Sequence, residues 1–462
     1  LTYQTMTDFR VMPSGRGTMT SSSFRPNGGP TCLCGDPAGM FFFYDIDQER
    51  QATRDTLFAY SRFMFQNAGM KAMRVDAVKH FSNAFMGDML DNLHQNGISP
   101  ELVVGESYDY SATVLKAWVD DVHANMDAST KADVKVSIFD FALREQMRQA
   151  CDAFGYDVRN LMTSGCVEGA AMSGYNVVSF VNNHDFRDPA QNQLILHDPI
   201  LPYAYILTNI KLGVPTVFYT DYYGANNMRG SINALMKAHK KYITGATMVD
   251  YLNKIGQSYP HTFTGGFDNT SLLYQVRLGD AHRDVVMAIN FAGERMKVDQ
   301  MINSASVSPG DTLTDIFAVS GQPFTITTLQ NYIHIELPPR SFGMWVKGDL
   351  RNNLISLTDT LYTATGEKMA KNEVTADNSL QLFPNPNDGN QVALAFESTT
   401  SNDAMMTLIN TVGQTVWAEK LNIKAGMEVY FMDLPTSLPT GVYFMTMRQN
   451  GKLFRQKLVI NH

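Results

Sequence analysis

Hydrophobic and polar positions along the chain fall into distinct regimes. Residues 1 to about 41 are rich in Gly, Pro, Ser and Thr and hold no sustained period, which reads as loop or irregular excursion. From about Met40 to Gly245, short apolar runs alternate with longer amphipathic stretches. The runs at 70–75, 102–105, 134–139, 177–181 and 214–219 are predicted strands. The stretches at 54–67, 81–94, 141–154 and 201–210 are predicted helices. Such alternation predicts a parallel sheet with right-handed crossovers. Five units do not close an eight-stranded barrel, but they are what the later part of one looks like.

From about Ala246 to Val346 the helical spacing stops. Strand-like stretches take over at 272–277, 285–291, 325–328, 332–337 and 342–346, which predicts a compact β domain. Polar, weakly patterned residues from Lys347 to Asn378 read as a linker. After Leu382, short alternating strands separated by Gly, Asn and Pro predict a second β-sandwich of roughly 80 residues. The predicted class is α/β: an incomplete (β/α)8 TIM barrel over 1–245, then two small all-β domains, at 246–348 and, after a linker at 349–378, at 379–462.

Composition narrows the function classes. A chain of 462 residues is too long for one ordinary core. With 44% hydrophobic and 18% charged residues it is globular rather than disordered. A formal net charge of -8 and the lack of any Lys/Arg-rich run argue against a nucleic-acid partner. No apolar run approaches the roughly 20 residues of a membrane span, so no transmembrane segment is expected. Cys32, Cys34, Cys151 and Cys166 do not complete a zinc pattern. Unpaired thiols and a Cys151–Cys166 disulfide both stay open.

In a parallel α/β barrel, reacting groups sit where strands end and loops begin. Three predicted strands lead into a carboxylate: Met73-Arg-Val-Asp76, Val103-Val-Gly-Glu106 and Phe180-Val-Asn-Asn-His-Asp185. Any one acid at such a place caps a helix as readily as it catalyses. Three at strand ends would converge on one pocket. Retaining glycoside hydrolysis uses such a set, with an ionised nucleophile and a protonated acid about 5–5.5 Å apart. Their surroundings must drive the two pKa values in opposite directions. Arg74 lies two residues before Asp76, so both side chains leave a strand on one face, and the cation keeps Asp76 ionised. Glu106 follows an apolar run and a glycine, where burial and nearby negative charge would raise its pKa. Asp185, beside His184, is placed to bind sugar hydroxyls and hold the ring distorted.

At these residues the chain resembles glycoside hydrolase family 13, the α-amylase family. Met73-Arg-Val-Asp-Ala-Val-Lys-His80 resembles the nucleophile motif, and its ending looks like that of the bacterial liquefying α-amylases. Val104-Gly-Glu106 resembles the acid/base motif, and Phe180–Asp185 the motif of the third acid. Gly213-Val-Pro-Thr-Val-Phe-Tyr-Thr-Asp-Tyr-Tyr-Gly224 is similar to the last barrel strand and its loop. The resemblance covers roughly Met40 to Val346. It implies Asp76 as nucleophile, Glu106 as acid/base and Asp185 as stabiliser of the transition state. It implies that Arg74 and His184 orient the first acid and the sugar. Lys79 and Tyr108 resemble residues of the leaving-group side, while a solvated lysine and a packing tyrosine are equal readings of those two.

The activity this resemblance implies is retaining endo-hydrolysis of α-1,4-glucosidic bonds in a starch-like α-glucan polysaccharide. The alternatives are a related glucanotransferase or debranching enzyme, and a non-catalytic surface glycan-binding protein. The family also implies a structural calcium, with Asp45 as a side-chain ligand and His80 as a backbone-carbonyl ligand. Where the family has a further aspartate this chain has Gly39, and Asp36 is the candidate substitute. The family's earliest motif and first barrel strands are not found, so the resemblance implies a chain that begins inside the barrel and is poorly soluble or inactive alone. Phe186-Arg187 stand where liquefying amylases usually have Thr-Gln.

The C-terminal segment resembles a different family, the sorting domain of the type IX secretion system of Bacteroidota. The matching residues are Phe383-Pro-Asn-Pro386, Asn410-Thr-Val-Gly413, Leu438-Pro-Thr-Gly-Val-Tyr443 and Lys457-Leu-Val-Ile460. An Ig-like accessory or glucan-binding module is the alternative. The resemblance implies the type IX secretion machinery as a partner and a secreted or cell-surface location. Deleting residues 382–462 is then expected to trap the protein in the periplasm. Cell fractionation with immunoblotting reads this, and unchanged export would count against the sorting reading.

Overall fold

The structure, a computed structural model, describes residues 23–24, 46–358 and 380–461, apart from short segments within those spans. Two compact units are present, Leu1–Asp359 and Thr360–His462. Among the described residues no helix is long and apolar enough to cross a membrane.

The first unit opens with α1 (Gln51–Gln66), followed by β1 (Ala72–Val75), α2 (Asn83–Gln95), β2 (Leu102–Gly105), α3 (Ala112–Ala124) and α4 (Ala128–Asp133). Then come β3 (Val136–Phe139), α5 (Phe141–Asp152), α6 (Gly165–Ala170), β4 (Val177–Ser179), α7 (Ile200–Thr208) and β5 (Val214–Pro215). The five strands lie in sequential order and pair in parallel, as successive right-handed crossovers require. This is an arc of a (β/α) barrel.

Local chemistry sets the helix starts. The Ser82 hydroxyl accepts the Phe85 N–H at 3.0 Å ahead of α2, and Asp140 Oδ1 accepts the Leu143 N–H at 2.8 Å ahead of α5. Met86, Leu90 and Leu93 of α2 and Leu115, Trp118 and Val122 of α3 recur at helical spacing. They bury against Val103, Val136 and Ile138 of the sheet. Each such side chain contributes about 1.5–3 kcal/mol of transfer free energy. Gly105 closes β2 because a Cβ there would lie 2.4 Å from the Trp118 ring.

The structure departs from the sequence expectations in several places. The strand expected over 214–219 is only Val214–Pro215, and Tyr219–Tyr223 coil into a short helix, α8. Helices α3, α4 and α6 were not among the predicted helices. Cys151 and Cys166 are buried free thiols, so the disulfide alternative falls away. Cys32 and Cys34 lie outside the described residues, as does nearly all of the expected N-terminal loop.

After helix α9 (Arg229–Ala238) the chain forms a six-stranded antiparallel sheet and a three-stranded one. Between them lie Leu273, Val286, Leu313, Ile333, Ile335 and Trp345. The opposite face of the larger sheet, with Leu272, Tyr274, Val285, Met287 and Met344, packs on Leu201, Tyr205 and Leu235 of the barrel helices. Ser271–Arg277 and Val285–Asn290 are therefore buried on both faces, which is why they read as unbroken apolar runs rather than alternating ones.

Arg340 fastens this β domain to the barrel. Its Nε donates to Asp198 Oδ2 at 2.6 Å, Nη1 to the Phe291 carbonyl at 2.6 Å and Nη2 to the Cys151 carbonyl at 3.2 Å. Arg340 and Asp198 both hold left-handed backbones, with φ of 50° and 48°. Such conformations persist only where surrounding contacts enforce them.

The second unit is a sandwich of three and four antiparallel strands around Leu394, Phe396, Met406, Leu408, Met445 and Leu458. Asn385 ties its first loop to its last strand. The Asn385 amide donates to the Lys457 carbonyl at 2.7 Å, and its oxygen accepts the Val459 N–H at 2.9 Å. The Tyr443 hydroxyl donates to the Pro439 carbonyl at 2.9 Å. Pro384 and Pro386 lie outside the described residues.

Arg340→Ala is expected to destabilise the first unit by about 2 kcal/mol through lost charge-assisted hydrogen bonds. Arg340→Lys should recover only part, since an ammonium lacks the planar fork. Urea denaturation followed by tryptophan fluorescence measures both; a full recovery by lysine would exclude the fork as the cause.

Candidate active site

Parallel register brings the first two acids together. Arg74 pairs with Val104 and Val75 with Gly105, so the next residues, Asp76 and Glu106, stand opposite each other at the strand ends. Arg74 lies two residues before Asp76 and its side chain leaves β1 on the same face. Its guanidinium spans both acids: Nη1 is 2.7 Å from Asp76 Oδ1 and Nη2 is 3.3 Å from Glu106 Oε1. Asp76 lies close enough for its charge to act on Glu106.

The surroundings of the two acids differ sharply. Glu106 is 8% exposed, whereas the Asp76 side chain is 71% exposed. Burial raises the Glu106 pKa above the ordinary carboxyl range, and the Asp76 charge adds to this. The Ala77 N–H and the Arg74 guanidinium pull the other way without overcoming it. A buried carboxyl with a raised pKa thus sits beside an open one that pairs with a cation.

Arg74 and Glu106 line a cavity of about 220 Å³, walled by Phe139, Phe180, Asn182 and His184. Behind the wall, the Asn182 amide donates to Asp221 Oδ2 at 3.1 Å, and its oxygen accepts the Ile195 N–H at 3.0 Å. Asp221 also accepts the Tyr203 hydroxyl at 2.8 Å, and burial raises its carboxyl pKa. Sequence reasoning missed Asn182, Asp221 and Tyr203 as wall supports. Asp221 stood inside the quoted 213–224 motif, while Tyr203 carried no signal.

The other expected residues are placed less uniformly. His184 is in the cavity wall. Asp185 lies six residues beyond the end of β4 rather than at it, in a 3-10 turn at Asp185–Arg187. Its carboxylate is 3.4 Å from His184 Nε2 and its side chain is 54% exposed. Lys79 and His80 sit on the 3-10 turn Val78–His80 just after Asp76, outside the cavity lining. Tyr108 shares a 2.8 Å hydroxyl contact with Tyr110 and packs edge-on to Phe141, with centroids 5.0 Å apart. The third strand also ends in an acid, Asp140, but both its oxygens cap backbone N–H groups, of Leu143 and Cys166.

Asp45 lies outside the described residues. Among the described residues no group of three or more His, Cys, Asp or Glu is disposed to hold a metal, and His80 alone does not make a calcium site.

The first unit thus combines a parallel β/α arc, carboxyls at adjacent strand ends and a following β domain. Known proteins resemble parts of the chain. The chain is 29% identical over 220 residues to an α-amylase of Geobacillus stearothermophilus, matching 46% of this chain and 37% of that protein. It is 24% identical over 314 residues to a cyclomaltodextrin glucanotransferase of Bacillus licheniformis, matching 64% of this chain and 40% of that one. The chain thus spans about two fifths of the length of these curated relatives. The solved α-amylase of Geobacillus thermoleovorans shares the fold, with a TM-score of 0.51 at 13% identity over 71% of this chain and 72% of the other. Residues 381–461 match the secretion system C-terminal sorting domain. Over its first unit the chain is thus similar to the α-amylase family, glycoside hydrolase family 13, and residues 381–461 are similar to the type IX secretion sorting domain.

The raised pKa of Glu106 gives a signed stability prediction. Between the ordinary carboxyl range and the raised value, the folded state binds the extra proton, so the parent loses stability as pH rises through that window. Glu106→Gln does not titrate. Its stability relative to the parent should be near zero below about pH 4 and grow as pH rises. Thermal unfolding across pH measures this; a difference independent of pH would refute the raised pKa.

Proposed function

We propose that the chain carries the reacting groups of a retaining endo-hydrolase of α-1,4-glucosidic bonds in starch-like polysaccharides. The observation that carries this reading is the Arg74 guanidinium held between exposed Asp76 and buried Glu106 at two adjacent strand ends. In this mechanism Glu106 gives its proton to the glycosidic oxygen as Asp76 bonds to the anomeric carbon and the leaving sugar departs. Glu106, now a carboxylate, takes a proton from water. The resulting hydroxide character at the anomeric carbon breaks the ester to Asp76, and the original configuration is restored.

His184 and Asp185 are assigned to the hydroxyls of the distorted ring, Arg74 to the orientation of Asp76, and Lys79 and Tyr108 to the leaving-group side. Structural calcium, held through Asp45 and the His80 carbonyl, remains part of the proposal, and no chemical step passes through it. The sorting domain supports export by the type IX machinery to the outside of the cell, released or surface-anchored.

Proton NMR of soluble-starch digests tests this reading, on the chain and on a polypeptide that adds the earlier barrel strands implied by the family resemblance. Short maltooligosaccharides should appear as α-anomers, and Asp76→Asn should lower the rate about a thousandfold or more by removing the nucleophile. First-formed β-anomers, or an undiminished Asp76→Asn rate, would sink it. Cyclic or lengthened glucans would assign the transferase reading instead. Starch binding without turnover would assign the glycan-binding one.

A further inference from the structure

The turn after Asp76 is bent against the preference of its own residue. Ala77 has φ 48° and ψ 44°, a left-handed conformation that L-alanine rarely adopts. Backbone of this kind persists where neighbours over-determine it. Here the neighbour is Glu106. The Ala77 N–H donates to Glu106 Oε2 at 3.2 Å. The next N–H, of Val78, donates to the Glu106 carbonyl at 3.0 Å, and the Glu106 N–H donates to the Val75 carbonyl at 2.9 Å. Three bonds therefore clasp residue 106 by its carboxyl, its carbonyl and its amide. The first needs the left-handed turn.

The clasp holds the two oxygens of Glu106 from different sides. Oε2 accepts the Ala77 N–H, and Oε1 lies 3.3 Å from the Arg74 guanidinium. Both neighbours can only donate, so together they favour the ionised carboxyl and orient it. His184 borders the same cavity from the loop after β4.

We propose that Ala77 is a positioning residue whose left-handed backbone turns its N–H onto Oε2 of Glu106 and holds that carboxyl in one orientation, with Oε1 toward Arg74. The functional meaning rests on the reading of Glu106 as acid/base, but the contact itself is tested without turnover. Replacing the Ala77 amide by an ester, with L-lactate in place of alanine, deletes the donor and keeps the methyl group. Infrared difference spectra of the full chain against Glu106→Gln read the protonation of Glu106 directly. Loss of the donor should move its midpoint up by about one pH unit, because the ionised form loses a hydrogen bond. Ala77→Gly keeps the N–H and adopts a left-handed φ readily, so its midpoint should stay within about 0.3 unit of the parent. An unmoved midpoint in the ester overturns the proposal.

If the ester variant does not fold, Ala77→Val reads the same quantity. A β-branched residue resists the left-handed turn, the N–H leaves Oε2 and the midpoint should rise; no rise overturns the proposal. Where turnover is measurable, the ester should slow maltooligosaccharide cleavage at least about tenfold more than maltosyl fluoride cleavage, since fluoride leaves without a proton. Equal losses on both substrates would mean a merely structural role and overturn the positioning role, whether or not starch is the natural substrate.

Discussion

A guanidinium shared by two carboxylates is a demanding arrangement, because each acid must be held still while the cation reaches both. Here the sheet does the holding. Arg74, Asp76 and Glu106 sit at the ends of two strands paired in fixed parallel register, so their separation follows from strand spacing. A slip of one residue would turn Arg74 and Asp76 to the opposite face and leave Glu106 facing an apolar side chain. Everything that fixes register therefore serves the site. The apolar packing of α2 and α3 on Val103, Val136 and Ile138 does so, as does the missing Cβ at Gly105 that lets Trp118 lie against β2.

The same cation meets two acids in different surroundings. The Asp76 side chain is open to solvent. Glu106 is enclosed, and burial outweighs both the Arg74 charge and the Ala77 amide. The far wall of the cavity is fixed less directly. Asn182 is held by Asp221 on one side and by the Ile195 N–H on the other. A few residues on, the same segment carries Asp198, which Arg340 grips from the β domain. The β domain is thus tied, through a single short stretch of chain, to a residue that lines the cavity.

Much of this was legible in the sequence where one physical rule dominated. Strands flanked by amphipathic helices gave the parallel sheet, and a carboxylate directly after an apolar run gave Asp76 and Glu106. Legibility failed where tertiary context overrode local pattern. The strand expected over 214–219 stops at Pro215, and its last residue, Tyr219, opens α8. Asp185 read as a strand-end acid, but β4 stops at Ser179 and the intervening residues turn. Asp140 fits the strand-end pattern as well as Glu106 does, and only its two bonds to backbone N–H groups reveal a cap. The support of Asn182 by Tyr203 joins residues far apart in sequence, and no local pattern encodes it.

What the sequence hides most completely is violation of a local rule. Ala77, Asp198 and Arg340 carry left-handed backbones that composition and periodicity give no reason to expect. Their distribution is informative. Asp198 and Arg340 face each other as an ion pair where the barrel meets the β domain, and Ala77 lies between the two acids of the site. For Ala77 the left-handed torsion accompanies an N–H directed at the Glu106 carboxyl. Local strain of this kind is tolerated only when the contacts it secures are worth more than the torsion costs. For Arg340 those contacts include the Asp198 carboxylate and the Cys151 carbonyl, both on the barrel side. For Ala77 the visible return is one N–H on one carboxyl oxygen and one clasped main chain, a small gain for stability but a large one for orienting a single carboxyl.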